Sequence, residues 1–117
     1  MQGKNLPLEV YVVVNRAMSG REAMGIFSSA EKAQKHMDRC AGKTGYLCHI
    51  ERSFVRGYYE PPHHVFAAHT YDPREDVHVL EGIYSELSRA ESAAGQEGKI
   101  VEFSIDVIGE IQIFMNE

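Results

Sequence analysis

The chain is written twice, and this repeat limits its fold more than any other feature of the 117 residues. Gly25-Ile26-Phe27-Ser28 recurs as Gly82-Ile83-Tyr84-Ser85, and at the same offset of 57 residues Ala33 matches Ala90. Upstream, Tyr11-Val12-Val13 stands where Phe66-Ala67-Ala68 stands. Downstream, Leu47-Cys48-His49-Ile50 takes the part of Ile100-Val101-Glu102-Phe103. Few identities are shared, but the pattern is: extended segment, turn, extended segment, short helix, extended segment.

In the first copy, Val10 to Asn15 is a β-branched run of the kind that forms a strand buried on both faces. Ser19-Gly20 marks a turn, and Glu22 to Phe27 is the returning strand. Ser28 is placed to cap a helix, with Glu31 completing a capping box. Ala30, Ala33, Met37 and Ala41 fall at helical spacing, Gly42 is placed to end the helix, and Tyr46 to Val55 is the third strand. In the second copy, His64 to Tyr71 and Asp76 to Tyr84 are strands about a turn at Asp72-Pro73-Arg74-Glu75. Ser85 is placed to cap a helix with Leu87, Ala90 and Ala94 on one side, and Gly95 ends it. Ile100 to Val107 alternates as a strand with Val101, Phe103, Ile105 and Val107 on one face.

These elements predict an α+β protein: two tandem ββαβ units forming a mainly antiparallel sheet, with two short helices on one face. The length fits a single domain over 1–117, with units at 8–55 and 64–108, a linker at 56–63 and a terminal strand at 109–117. In such a sheet the face carrying Tyr11, Val13 and Leu80 lies open, which argues for a homo-oligomer. The terminal strand either pairs within its own sheet or completes a sheet in a second subunit.

The strand ending Gly-Ile-Tyr/Phe-Ser, followed by a helix with Ala five residues after the Ser, resembles a family of small ββαβ domains. They occur in bacteriophages, other mobile elements and prokaryotic genomes. Val65 to Ala90, centred on Leu80-Glu81-Gly82-Ile83-Tyr84-Ser85, is the nearer copy, and Tyr11 to Ala33 is the more diverged one. The second copy lacks the Pro-Gly-Phe segment that often follows the helix in that family. The family carries no assigned chemistry, so the resemblance implies a small accessory protein and transfers no catalytic residue.

Composition narrows the function classes. Twelve Lys and Arg against 17 Asp and Glu give a net charge of −5, and no basic run occurs, which speaks against duplex nucleic acid as a partner. Cys40 and Cys48 form no CxxC pair, so neither a zinc ribbon nor a thioredoxin-type site is expected. No apolar run is long enough to span a membrane and no signal peptide is evident, so the expected compartment is the cytoplasm, with reduced thiols. Cys48 and His49 are strand neighbours and point to opposite faces, so they form no nucleophilic dyad. The glycines compose neither a phosphate loop nor a dinucleotide fingerprint.

The best candidate site is the linker Arg56-Gly57-Tyr58-Tyr59-Glu60-Pro61-Pro62-His63-His64. Tyr58 and Tyr59 can stack a planar ring, Arg56 can fork to a phosphate, and the two prolines lower the cost of ordering the segment. His63 and His64 join this set. A four-residue loop at 72–75 would also set His69 opposite His78, with Cβ atoms about 5 Å apart. Two imidazoles, even with Asp76 or Asp72 beside them, are too few for a zinc site, so His69 and His78 are read either as solvated surface histidines or as ligand contacts, and no metal or cofactor is expected.

The leading expectation is therefore a non-catalytic binding protein that sequesters a small anionic, nucleotide-like ligand or blocks a partner. One alternative is a protein–protein inhibitor or adaptor that presents an acidic surface of Glu31, Asp38, Glu86, Glu91 and Glu97. Another is a His- or metal-dependent enzyme.

Overall fold

Val10, Val12 and Val14 alternate along the chain with Tyr11 and Val13, so both faces of the first strand are apolar and each needs a cover. The computed structural model supplies two different covers. It describes residues 8–16, 20–44, 48–57, 64–106 and 112–115, with side chains for all but 40–44 and 112–115. The elements are β1 (Leu8–Asn15), β2 (Glu22–Phe27), α1 (Ala30–Thr44), β3 (Cys48–Arg56), β4 (His64–Asp72), β5 (Val77–Tyr84), α2 (Leu87–Ala94), β6 (Lys99–Ser104) and β7 (Gln112–Met115).

The strand order is β2-β1-β3-β5-β4-β6-β7. All neighbours are antiparallel except β3 and β5, which run parallel and pair only at Val55↔Ile83 and Arg56↔Tyr84. The sheet does not stay open. Six strands curl into a nearly closed barrel. The end of β6 meets the end of β2, where the Asp106 N–H donates to the Ile26 carbonyl (2.9 Å).

This closure overturns the expected arrangement of two ββαβ units in one sheet with both helices on one face. The inward side chains Val10, Val12, Val14, Ala23, Ile26, Val55, Val65, Ala67, Leu80, Ile83, Val101 and Phe103 form one core. The helices lie on the outer wall over different strands, α1 on β1, β2 and β3, and α2 on β4, β5 and β6. Val13, Phe27 and Ala33 pack with Tyr11, Met24 and Met37 beneath α1. Ala68, Tyr84, Ala90, Ala94 and Ile100 pack beneath α2. Tyr11 and Val13 therefore lie under a helix and Leu80 lies inside the barrel. The open apolar face that argued for an oligomer does not exist.

Two junctions are held by polar groups. Between β2 and β5, the Arg21 N–H donates to the His78 carbonyl (3.1 Å) and the Leu80 N–H to the Arg21 carbonyl (2.6 Å). The Arg21 side chain then bonds the Glu51 carboxylate (2.6 and 3.3 Å) and the Leu80 carbonyl (3.0 Å). Burial alone would raise the Glu51 carboxyl, but hydrogen bonds from Arg21 and His49 outweigh it and hold that group below its ordinary value. Between β2 and β6, Lys99 pairs with Glu22.

The helix caps also differ from expectation. Ser29, not Ser28, caps α1, accepting from the Lys32 N–H (3.2 Å). Ser28 instead donates its N–H and hydroxyl to the Asp106 carboxylate (2.8 and 2.6 Å). Glu86 occupies the α2 cap without a side-chain bond, and Gly95 ends that helix at φ 82°. The α1 backbone runs past Gly42 to Thr44, and Ala30 is exposed while His36 is buried on the packed side. β7 pairs with β6 in its own sheet. No helix among the described residues is long and apolar enough to cross a membrane.

Candidate functional site

A groove of about 550 Å³ runs along α2, lined by Glu81, Tyr84, Ser88, Arg89, Ser92 and Ala93. Its position follows from the parallel β3–β5 junction. β5 ends at Tyr84, the Ser85 N–H donates back to the Arg56 carbonyl on β3 (2.9 Å), and α2 then crosses the outer wall. The junction brings the β3 end, Arg56 and Gly57, against the start of α2.

The polar side chains there are linked. Arg56 Nη1 donates to the Tyr84 hydroxyl (3.1 Å), and its guanidinium carbon lies 5.6 Å from the Tyr84 ring centroid. The Tyr84 hydroxyl donates to Glu81 Oε1 (2.8 Å), and Arg56 lies 3.6 Å from the other Glu81 oxygen. Burial and the Glu81 carboxylate raise the Tyr84 phenol above its ordinary value, so it stays a donor at neutral pH. Arg89 has no ion-pair partner among the described residues. The Ser85 hydroxyl is buried without a hydrogen-bond partner among them.

Gly57 (φ 102°) sets the shape of this corner. A Cβ there would sit 2.7 Å from Ser85 Oγ and 3.1 Å from Arg89 Nη1. The glycine thus permits both a left-handed backbone and a close approach to two donor groups. Chemically, the groove offers a free guanidinium, several hydroxyls and one aromatic ring, with a single carboxylate already engaged. Such a set has the chemistry to receive an anion with a planar part.

The expected site residues fall into separate places. Arg56 borders the groove, with its side chain 56% exposed. Tyr58, Tyr59 and His63 lie outside the described residues. His64 starts β4, but its Nδ1 is engaged toward β6, 3.2 Å from Ser104 Oγ and 3.4 Å from Glu102. His69 and His78 do not face each other. The loop closes at 73–76, one residue later than expected, so His69 lies opposite Leu80 and His78 opposite Tyr71. His78 packs its ring against Tyr71 (5.4 Å between centroids).

His69 is fully buried, and its Nε2 accepts the Ala23 N–H (3.1 Å). Ligand contact is thereby closed to it. No group of three or more His, Cys, Asp or Glu among the described residues is placed to hold a metal.

Sequence reasoning missed Arg89, Ser88 and Ser92, because a short helix with an apolar side reads as packing alone. The signal that could have found them is the outward spacing of 88, 89 and 92, one helix face whose small hydroxyls leave room beside an arginine. The acidic set Glu31, Asp38, Glu86, Glu91 and Glu97 is exposed throughout. No family model matches the chain, and no curated protein or solved structure matches it.

Proposed function

We propose that the chain is a non-catalytic binding protein that takes a small nucleotide-like anion in the groove between α2 and the β3 end. One observation carries this reading: Arg89, without an ion-pair partner among the described residues, stands beside the bare backbone of Gly57 and the Ser85 hydroxyl. A guanidinium left without an ion pair, beside the exposed Ser88 and Ser92 of the same groove, gains from an oxyanion. The groove volume lies in the range of small-molecule sites, about 300–1,000 Å³. Tyr58 and Tyr59 follow Gly57 in the sequence and bring rings of the kind that stack on a ligand's planar part. The protein acts in the cytoplasm as an accessory factor, in keeping with the phage and mobile-element domains that its Gly-Ile-Tyr-Ser segment resembles.

Thermal melts against a nucleotide panel test the reading. A bound nucleotide raises the melting temperature, by about 2.7 kcal/mol of stabilisation at 100 times its dissociation constant. Arg89→Ala and Tyr58→Ala should each remove the shift while leaving the unliganded melt nearly unchanged. A panel with no shift, or an Arg89→Ala variant that binds like the parent, overturns the assignment. Native mass spectrometry reports in the same sample whether the species is a multiple of 13.2 kDa.

A further inference from the structure

A second cleft lies on the other helix, lined by Phe27, Lys32, Lys35, His36, Arg39 and Asp106. It stands at the same place relative to α1 as the first groove does to α2. Phe27 and Tyr84, Lys32 and Arg89, and Lys35 and Ser92 are each separated by the 57-residue offset. Its volume is about 150 Å³, well below a drug-sized site and suited to one compact group.

Its charge is unlike that of the rest of the molecule. Lys32, Lys35 and Arg39 recur at the spacing of one helix face and put three cations around the cleft. The facing charge from outside α1 is Asp106, just after β6. That carboxylate is already taken, accepting from the Ser28 N–H, the Ser28 hydroxyl and Lys32 Nζ (2.8, 2.6 and 3.1 Å). Lys35 and Arg39 form no ion pair among the described residues. A chain of net charge −5 thus keeps two open cations around a small concave site.

The floor is apolar and fixed. Phe27 and His36 are 2% and 8% exposed, and their rings meet at 5.2 Å. The ring floor gives the site a wall on one side, while Lys35 and Arg39 are exposed and reach an anion from the solvent side.

We propose that this cleft binds a phosphate group, either free phosphate or the head of a phosphomonoester, held by Lys35 and Arg39 above the Phe27–His36 floor. A doubly charged oxyanion matches the two open cations, and the small volume admits the head group while leaving an ester's remainder outside. The inference stands on residues separate from the α2 groove. Burial and the nearby Arg39 charge hold the His36 imidazole below its ordinary value in the free protein. A dianion beside it favours the imidazolium, so His36 reports occupancy.

The experiment is an NMR titration of the His36 imidazole carbon–proton signals, near neutral pH and at low salt. The probes are inorganic phosphate, ribose 5-phosphate and sodium chloride at matched ionic strength. The expected result is a saturable His36 shift with at least one phosphate probe, absent with chloride, and an upward move of the His36 titration midpoint when phosphate is bound. Saturation by ribose 5-phosphate at lower concentration assigns an ester, and saturation by inorganic phosphate at lower concentration assigns the free ion. Lys35→Gln with Arg39→Gln should weaken binding tenfold or more, whereas Arg89→Ala should leave it unchanged. A linear, chloride-like response at millimolar phosphate, or full affinity in the double variant, overturns the proposal.

Discussion

His69 is the residue whose chemistry depends most on the fold around it. It sits in β4 just after a bulge between Ala68 and His69, and its imidazole points to the β2 backbone. Since Nε2 accepts the Ala23 N–H, the ring is neutral with its proton on Nδ1. Nδ1 has no well-formed hydrogen bond, and the Lys99 backbone gives the cation only weak support. Burial first, then the Lys99 charge, push the His69 pKa down to about 4, against the partial help of Glu22.

The unfolded chain takes up this proton near pH 6.5 and the folded chain near pH 4, so low pH favours unfolding. The contribution is full above pH 6.5 and is lost as pH falls from there toward 4. It amounts to on the order of 3 kcal/mol from the two pKa values. Urea melts at pH 7 and pH 4.5 should therefore differ clearly, and His69→Gln, which keeps an acceptor for Ala23, should flatten that part of the profile. An unchanged slope in the variant would remove His69 as the cause. The sequence shows six histidines alike. What singles out His69 is a bulge and a strand from the other half of the chain, and neither leaves a mark on its neighbours in sequence.

At the scale of elements, the exit from α2 shows how two glycines act through different physics. Gly95 has φ 82° and ψ −179°, a region nearly closed to other residues, yet its missing Cβ would meet nothing within 4 Å. A Cβ on Gly98 would lie 2.2 Å from the Ala94 carbonyl oxygen and 2.3 Å from that of His69. Both obstacles are backbone and cannot rotate away. Gly95→Ala should cost about 1–3 kcal/mol as backbone strain. Gly98→Ala should cost more, because α2 has to move off β4 to admit the methyl group. Denaturant melts of the two variants decide the order, and equal losses would mean that the helix exit yields more readily than its contacts suggest. Element boundaries were largely legible here. Turn residues and period-2 alternation locate β2 over Glu22–Phe27 and place β5 within a residue of its start. The register was not legible, because the turn at 73–76 closes one residue later than Asp72-Pro73 suggests, which replaces His78 by Leu80 opposite His69.

The whole molecule is two well-laddered halves joined at thin junctions. β1 pairs with β3 from Leu8↔Val55 through Asn15↔Cys48, and β4 pairs with β5 and β6 along most of its length. Beyond the shared core, the halves meet through the two residue pairs of β3 and β5, through Arg21, through Glu22 with Lys99 and Ala23 with His69, and where Asp106 meets Ile26, Ser28 and Lys32. Nothing in the strand sequences announces this closure. Val10, Val12 and Val14 would alternate in the same way in a flat sheet, and whether they line a barrel depends on twist summed over six strands. The site inherited that illegibility. Arg56 could be picked out as a cation beside a linker, but the approach of its neighbour Gly57 to Arg89 exists only because the β3–β5 junction forms.

Hydrogen exchange under native conditions tests whether the junctions are also the weak points. The amides of Val12 and Ala67, in the middle of the ladders, should exchange only through global unfolding and show its full denaturant dependence. The Ser85 amide bonds to the Arg56 carbonyl and the Asp106 amide to that of Ile26, so both depend on a junction alone. They should open at lower free energy and with a shallower denaturant dependence. Asp106→Ala should accelerate exchange at Ser28, whose N–H the carboxylate accepts, and leave Val12 nearly unchanged. Four amides with one protection and one denaturant slope would instead mean that the barrel opens as a unit, and that its two thin junctions are as cooperative as its ladders.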